Sequence, residues 1–383
     1  MPKRYDILVV GAGIAGCAAA WILKRQGFEV LLVDRAHTPA TGGSGAAGAF
    51  VSPKIGKGGP LQALTNEAFA FATHFYRTYF SDYFYPTGVV RIPKDAEDAR
   101  KFPLYEPHND AHYRTLSSQE LASMGIDAPY ASFYFDEAGV CDAPKLCSAM
   151  SRAVAFMSFD VRRLEATGEG WNVYDGSSRV LYARRVVLAT GYENGLLDMR
   201  YMGVRGTWGS RGDYASALPL EVSMHKKISI SANIGGIVKL GATHVKAEAP
   251  CMVCDGAPLR TLEEQAATMV DTRDFRLKQT YCGMRAGSKD YFPLLGRIVD
   301  VGWMLTRYPN ITRGQKAPLR YLPDIYVLNG LGGRGFVFAP LMAKQLAEHL
   351  CHDTPIDARI DPDRLFWRWV RRLKLTEDAD VVQ

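Results

Sequence analysis

Three glycines, Gly11, Gly13 and Gly16, follow a short apolar run, Ile7 to Val10, with the spacing G-x-G-x-x-G. After them Ile14, Ala15, Ala18, Ala19, Ile22 and Leu23 recur at three- and four-residue steps, which predicts a helix with one small, apolar face. A second apolar run, Glu29 to Val33, ends in Asp34, with Arg35 beside it. Strand, glycine turn, helix, strand and terminal acid together describe a dinucleotide-binding unit. Gly11 permits the tight turn, Gly13 leaves room for a pyrophosphate, and Gly16 lets helix and strand approach. The N–H groups at Ile14 and Ala15 open the helix and face the phosphates with a partial positive charge. Asp34 accepts hydrogen bonds from a ribose diol, which favours FAD or NAD over a 2′-phosphorylated ligand. Arg35 leaves the latter open.

Other glycine-rich stretches offer backbone to the same ligand. Residues 42–49 include Ser44, Gly45 and Ala49 and carry no charge. They suit either backbone lying along a flat ligand or a flexible surface loop. Lys57, in the adjoining loop 53–59, is a candidate for touching flavin or substrate, and a solvated lysine is the plain alternative. Val161 ends a predicted strand from Ser158, and Thr190-Gly191 ends a buried one from Arg185. All three are placed at the nucleotide. Near the other end, Gly332, Gly333, Arg334, Gly335 and Phe336 precede a predicted helix from Ala339 to His349. Its start supplies N–H groups to a flavin's pyrimidine edge.

The elements around these residues predict an α/β protein: an FAD-binding Rossmann-like domain with an α+β substrate domain built on an antiparallel sheet. Expected elements are a helix from Leu61 to Phe80, a strand from Tyr83 to Ile92 bent at Gly88, and a helix capped by Asp142. Strands 158–161, 170–174 and 180–182 form a meander before strand 185–191. Repeated glycines in 204–250 mark the antiparallel sheet, followed by a helix over 262–275 and a core strand over 321–329. The expected domains are discontinuous: 1–83, 140–205 and 286–383 for the nucleotide, 84–139 and 206–285 for the substrate.

A chain of 383 residues, 47% hydrophobic, has material for two domains. No run of 18 apolar residues occurs, and the N-terminus enters the first strand almost at once, so a cytoplasmic protein without a membrane partner is expected. The seven cysteines are odd in number and scattered, which points to thiols. Cys251-x-x-Cys254 would need two further ligands for zinc, for which His244 and Cys282 are merely available, so ordinary thiols and no metal are expected. The net charge is +6. Residues 359–374 hold six cations (Arg359, Arg364, Arg368, Arg371, Arg372, Lys374) against Asp361 and Asp363, a local balance of +4.

The chain resembles the FAD-dependent amine oxidoreductases that include glycine, sarcosine and D-amino-acid oxidases. Within them it is most similar to the oxidoreductase half of the bifunctional tRNA-modifying enzymes that make 5-methylaminomethyl-2-thiouridine. The resemblance rests on the Gly11–Gly16 motif, on Gly43-Ser44-Gly45 with Pro53 and Lys57, and on the segment 281–296 around Arg285. It rests also on Leu331 to Pro340, and on the ending Pro355-Ile356-Asp357 and Asp361 to Trp367. Ala46-Ala47 departs from the polar residues found there in the tRNA enzymes.

This resemblance implies a glycine oxidase-like fold, noncovalent FAD (Cys282 lies one position from the covalent attachment site) and Arg285 as the clamp on a substrate carboxylate. An interdomain salt bridge is the plain reading of Arg285. The implied reaction is hydride transfer from the CH2 between amine and carboxylate, on tRNA carrying 5-carboxymethylaminomethyl-2-thiouridine at the wobble position. Hydrolysis of the resulting imine leaves 5-aminomethyl-2-thiouridine and releases glyoxylate. Methyl transfer then needs a separate methyltransferase. No protein base is required, so His225 and His244 are expected to be structural. A free amino acid such as glycine or sarcosine is the alternative substrate. A helix over 364–374, apolar at Leu365, Phe366, Trp369, Val370 and Leu373, is expected to offer its arginines to tRNA phosphates.

Overall fold

A computed structural model describes residues 4–246, 249–250 and 254–373. Strand β1 (Arg4–Val10), helix α1 (Ile14–Arg25) and strand β2 (Val30–Asp34) follow one another directly. Parallel β1 and β2 are joined by strands Val180–Leu188, Tyr321–Asn329 and Ala155–Ser158 in an eight-stranded sheet. Alternation along β1 feeds both faces. Ile7 and Val9 join the cluster containing α1 and helix Gly335–His352, while Leu8 and Val10 join Trp171, Val173 and Phe366 on the other. Such two-sided burial is why both strands read as continuous apolar runs. The alanines Ala18, Ala19 and Ala20, all buried, let α1 lie close to its neighbours.

A nine-stranded sheet holds strands Val89–Arg91, Ser132–Phe135, Arg205–Ala215, Ser223–His225 and Arg276–Gly287. Its longest pairing is antiparallel, from Arg205↔Gly287 to Ala215↔Arg276. A three-stranded sheet of Phe50–Val51, Phe84–Tyr85 and Gly139–Cys141 lies apart from both in hydrogen bonding. Strands of the two large sheets interleave along the chain, and on that ground we propose the division 1–83, 140–205 and 286–383 against 84–139 and 206–285.

Several elements differ from the sequence expectation. Gly88, at φ +67°, separates two strands belonging to different sheets, where one bent strand was expected. The meander consists of Val161–Thr167, Gly170–Asp175 and Val180–Leu188, the last being one strand where two were expected. Val161 therefore opens a strand rather than closing one. The helix expected over 262–275 runs Ala257–Ala266, because Pro258 sits in its first turn and the Asp271 carboxylate draws Arg273 N–H into a local turn.

Helix Gly335–His352 begins four residues before Ala339 and carries Pro340 inside it. Proline has no N–H for the Phe336 carbonyl; the buried Tyr76 hydroxyl, on α2 (Pro60–Tyr79), donates to that oxygen at 2.8 Å instead.

The C-terminal helix spans Asp363–Val370 and buries Leu365, Phe366 and Val370. Its entry is fixed by contacts that the charge pattern hid. Arg364 Nε is 3.0 Å from Asp290 Oδ2, and its Nη2 reaches the carbonyls of Phe292 and Pro293 at 3.3 and 3.1 Å. Arg359 likewise pairs with Asp357 and Glu67. Neither is a free cation. Arg368, Arg371 and Arg372 are exposed; Lys374 lies outside the described residues.

Burial pushes the Asp363 carboxyl up to about 6, with the Asp361 charge adding to it and the Tyr321 hydroxyl and Arg297 opposing. A carboxyl that binds its proton more tightly when folded stabilises the fold below its unfolded pKa, near 4, and loses that contribution as pH rises through about 6. We predict that Asp363→Asn matches the wild type in stability at pH 4 and exceeds it by about 1–2 kcal/mol at pH 7.5, after allowance for partial exposure. Denaturant unfolding at the two pH values checks this; a difference that does not change with pH contradicts the assignment.

Candidate active site

Each glycine of the first turn answers a contact. Gly11 has φ +103°, and a Cβ there would lie 2.4 Å from the Ala189 carbonyl oxygen. A Cβ on Gly16 would lie 1.8 Å from Gly11 O. One on Gly13 would sit 3.1 Å from Ser44 Oγ, inside the space facing the start of α1. Ser44 Oγ accepts the Ile14 N–H at 2.9 Å, so the loop 42–49 is anchored at the helix start. Asp34 holds the turn from β2: Oδ2 accepts the Ala12 N–H at 2.7 Å and Oδ1 that of Ala36 at 2.9 Å. Each oxygen keeps a further lone pair for a hydroxyl.

Distant segments converge on this turn. Gly335 meets Ile14, its Cβ position 3.1 Å from Ile14 Cγ2. Asn329 Nδ2 donates to Gly191 O at 2.7 Å, tying the end of strand Tyr321–Asn329 to the loop after Leu188. Thr190 donates to the Glu193 carbonyl, and the Glu193 carboxylate pairs with Arg35 at 2.7 Å on the surface. Phe159 N–H bonds Asp34 O at 2.7 Å, which brings the approach to Val161 alongside the end of β2.

The loop 42–49 is packed backbone to backbone on strand Arg276–Gly287. A Cβ on Gly43 would lie 2.5 Å from Met284 O, and one on Gly283 would lie 2.9 Å from both Gly43 Cα and Ala46 Cβ. Gly43 and Gly283 thereby let the two backbones touch. Ala46 is small because Gly283 lies against it. Arg211 locks the arrangement: it is 2% exposed, pairs with Asp213 at 2.9 Å, and donates to the Ala47 carbonyl. Its guanidinium also lies 4.0 Å from the Tyr281 ring centroid. Nothing in the sequence separates Arg211 from other strand arginines.

Arg285 projects from this strand across Gly209, where a Cβ would lie 2.4 Å from Arg285 Nη2. Its Nη1 donates to Thr243 O at 3.1 Å, and its Cδ is 3.8 Å from a Cβ position on Gly333. Among the described residues no carboxylate pairs with it, so an interdomain salt bridge is not what holds it. Burial lowers its pKa. Arg334 donates to Ser52 O at 3.4 Å, and burial pushes its pKa down to about 10. Burial and the charge of Arg334 take Arg91 down to about 9. Lys54 is lowered by burial, then by Arg334 and Arg91. His225, bonded to Ser229 Oγ at 2.8 Å, is held well below its ordinary value by burial and these cations. His244 is lowered by burial and by Arg285. Lys57, by contrast, is exposed on its loop; Lys54 is the lysine that turns inward.

Cys254 and Cys282 form a disulfide, with Cα atoms 5.4 Å apart, so the expectation of thiols throughout does not hold. Cys251 lies outside the described residues.

A glycine turn facing a helix start, an acid closing β2 and a second glycine turn arriving from the far end of the chain define a dinucleotide-dependent oxidoreductase. Residues 6–349 match the family described as FAD dependent oxidoreductase, and the chain belongs to that family. It is similar to the tRNA 5-methylaminomethyl-2-thiouridine biosynthesis bifunctional protein MnmC of Methylobacillus flagellatus, 26% identical over 94% of this chain and 59% of that protein. The same protein of Cupriavidus metallidurans is 26% identical, over 96% and 60%. The chain thus spans about three fifths of the length of these curated relatives. Among solved structures, glycine oxidase from Bacillus cereus superposes with a TM-score of 0.76 at 17% identity, over 92% of this chain and 96% of that one. L-proline dehydrogenase from P. horikoshii gives 0.78 at 16%, over 96% and 99%. Both share the fold. The protein is an FAD-dependent oxidoreductase.

The residues present fit FAD: the Gly13 space, the Asp34 lone pairs and the open positions above Gly191 and Gly332, where a Cβ would meet nothing within 4 Å. Because Arg211 fixes the loop whose Ser44 meets α1, Arg211→Met is predicted to weaken FAD binding roughly tenfold. Fluorescence titration of the apoprotein with FAD measures this, and an unaltered Kd contradicts the role given to Arg211.

Proposed function

We propose that this enzyme oxidises the carboxymethylaminomethyl group of 5-carboxymethylaminomethyl-2-thiouridine at the tRNA wobble position to the imine, which water hydrolyses to 5-aminomethyl-2-thiouridine and glyoxylate. The observation that carries the reading is Arg285, a secluded guanidinium with no carboxylate partner among the described residues. Such a group demands an anion, and a planar fork meets a carboxylate with two parallel hydrogen bonds. When bound, FAD supplies the hydride acceptor for the carbon between amine and carboxylate.

The chain's own residues do the rest. Arg285 fixes the carboxylate and so the orientation of the adjoining carbon. The cations Arg285, Arg334, Arg91 and Lys54 create a positive potential that disfavours a protonated substrate amine, which keeps the nitrogen lone pair available. That potential removes the need for a protein base, and burial, with neighbouring cations second, lowers His225 and His244 from their ordinary values.

Support for the large substrate comes from the bifunctional tRNA proteins, similar over almost the whole of this chain, and from exposed Arg368, Arg371 and Arg372 beside the docked C-terminal helix. A tRNA positioned by phosphate contacts there is the partner this reading names, and a separate methyltransferase would act on its product.

Anaerobic mixing of the FAD-loaded enzyme with tRNA bearing the modified uridine should bleach the flavin, and nucleoside analysis should find the aminomethyl product. Bleaching by glycine or sarcosine with none by the tRNA would replace this reading with a small-amine oxidase. Arg285→Met is predicted to keep FAD and to lower the efficiency of reduction by roughly 100-fold, the loss of a charge-assisted bidentate pair. Unchanged reduction kinetics count against the clamp. Replacing Arg368, Arg371 and Arg372 together by Gln is predicted to weaken tRNA binding and flatten its dependence on salt by up to about two units of log–log slope. An unchanged slope removes the helix from the tRNA contact.

A further inference from the structure

Tyr291 is the most exposed large hydrophobic side chain among the described residues, at 78%. Its backbone has φ +68°, a left-handed conformation in which a bulky side chain crowds its own carbonyl. Among the described residues its ring packs on no other ring and its hydroxyl makes no hydrogen bond. Packing of the ring does not offset the backbone strain, so the conformation is held by the neighbours in sequence.

Those neighbours are clamped. The Asp290 carboxylate accepts from Ser288 Oγ at 3.1 Å and from Arg364 Nε and Nη2 at 3.0 and 3.1 Å. Ser288 Oγ also lies 2.6 Å from the Phe292 carbonyl oxygen, and Arg364 Nη2 reaches the carbonyls of Phe292 and Pro293. The loop 288–293 is therefore fixed on both sides of Tyr291 while the ring itself stands in solvent.

Two junctions place that ring. The strand carrying Arg285 ends in a bridge from Gly287 to Leu331, and a Cβ on Gly287 would lie 3.9 Å from Gly332 Cα. The loop thus leaves the sheet at the second glycine turn, and Tyr291 follows Arg285 by six residues, at most about 20 Å of chain. On the other side, Arg364 is the second residue of the C-terminal helix Asp363–Val370. Arg368 and the cap residue Arg371 follow it at steps of four and three, so these exposed cations extend along the helix face that begins at the loop. Lys289, beside Tyr291, is exposed as well.

A bare aromatic ring flanked by cations, with the adjoining acid already neutralised by Arg364, matches an unpaired nucleobase on its phosphate backbone. Phe292 is half-buried and Pro293 buried, so the patch offers a protein partner little further apolar surface, whereas stacking needs one ring face. Chemistry on a base-borne group requires that base to leave its stack, which strips a neighbouring base of its own cover.

We propose that Tyr291 is a stacking platform for an unpaired base of the RNA loop whose uridine is oxidised at Arg285, with Lys289 and the arginines of the C-terminal helix facing the phosphates. This deepens the tRNA reading and rests on it for which loop is bound. The ring supplies a preference for single-stranded RNA that salt does not remove; the cations supply the part that it does.

The FAD-loaded enzyme is titrated with an unmodified RNA hairpin, carrying 2-aminopurine at each loop position in turn, and with a blunt RNA duplex of equal length. Fluorescence anisotropy and 2-aminopurine emission are followed. The wild type is expected to bind the hairpin at least tenfold more tightly than the duplex and to quench one loop base. Tyr291→Gly, which accepts the left-handed backbone, should bring the two affinities within about twofold, abolish the quench, keep the salt slope of hairpin binding and raise Tm by roughly 1–3 °C. Tyr291→Phe should retain preference and quench, because stacking uses the ring and not the hydroxyl.

No hairpin binding, equal affinity of the wild type for hairpin and duplex, or a preference and quench that survive in Tyr291→Gly overturns the platform. Loss of the preference in Tyr291→Phe gives the contact to the hydroxyl and overturns stacking. A Tm for Tyr291→Gly below that of the wild type makes the outward ring structural, and the proposal falls. Because the hairpin lacks the modified uridine, this titration decides the platform separately from the substrate: quenching through Tyr291 with no flavin bleaching by modified tRNA sinks the substrate reading alone.

Discussion

The position at which a Cβ on Gly16 would strike the Gly11 carbonyl, 1.8 Å away, sets the geometry on which the site depends. With no side chain there, α1 starts directly against the turn leaving β1, and the same turn rests on the Ala189 carbonyl through Gly11. The helix start is thereby aimed along the end of the parallel sheet, where β2 delivers Asp34 and strand Tyr321–Asn329 delivers the second glycine turn. Every other contact at the nucleotide end presupposes this close crossing. Ser44 reaches Ile14, and Gly335 reaches the Ile14 side chain, only because the helix begins where it does.

The 42–49 loop and the nine-stranded sheet are joined by a different device. Gly43 and Gly283 allow two backbones to touch, and Arg211 crosses the junction to hold carbonyls of the 42–49 loop while Asp213 balances its charge. A compensated buried arginine beside uncompensated ones separates two tasks. Arg211, paired and stacked on Tyr281, is part of the scaffold. Arg285 has no carboxylate partner among the described residues and stays available at the same strand.

How much of this the sequence disclosed follows from how local each signal is. The strand–glycine–helix–acid unit was legible because its residues are neighbours and each type has one physical reason. The 330–336 turn was legible for the same cause, although the helix start at Gly335 was hidden by Pro340, whose missing donor is replaced by Tyr76 from 260 residues away. The inward lysine was not legible: Lys54 and Lys57 sit in one loop, and the Lys54–Asn66 hydrogen bond that decides between them joins the loop to α2. Arg211 looks like an ordinary strand arginine until the sheet seals it. In the tail the charge count was right and its meaning partly wrong. Arg364 serves Asp290, and Pro362 packs against Gly296, its Cδ 2.8 Å from the position a Cβ there would occupy.

The order in which strands enter the first sheet bears on how the protein comes into being. β1 is synthesised first, yet it gains its inner partner, Val180–Leu188, only in mid-chain, and that partner waits for Tyr321–Asn329. During translation the earliest strand leaves the ribosome with one edge unsatisfied for well over a hundred codons, a period in which chaperones are its natural cover. The nucleotide cradle closes only when strand Tyr321–Asn329 arrives, and a chain cut short of that strand has no complete cradle.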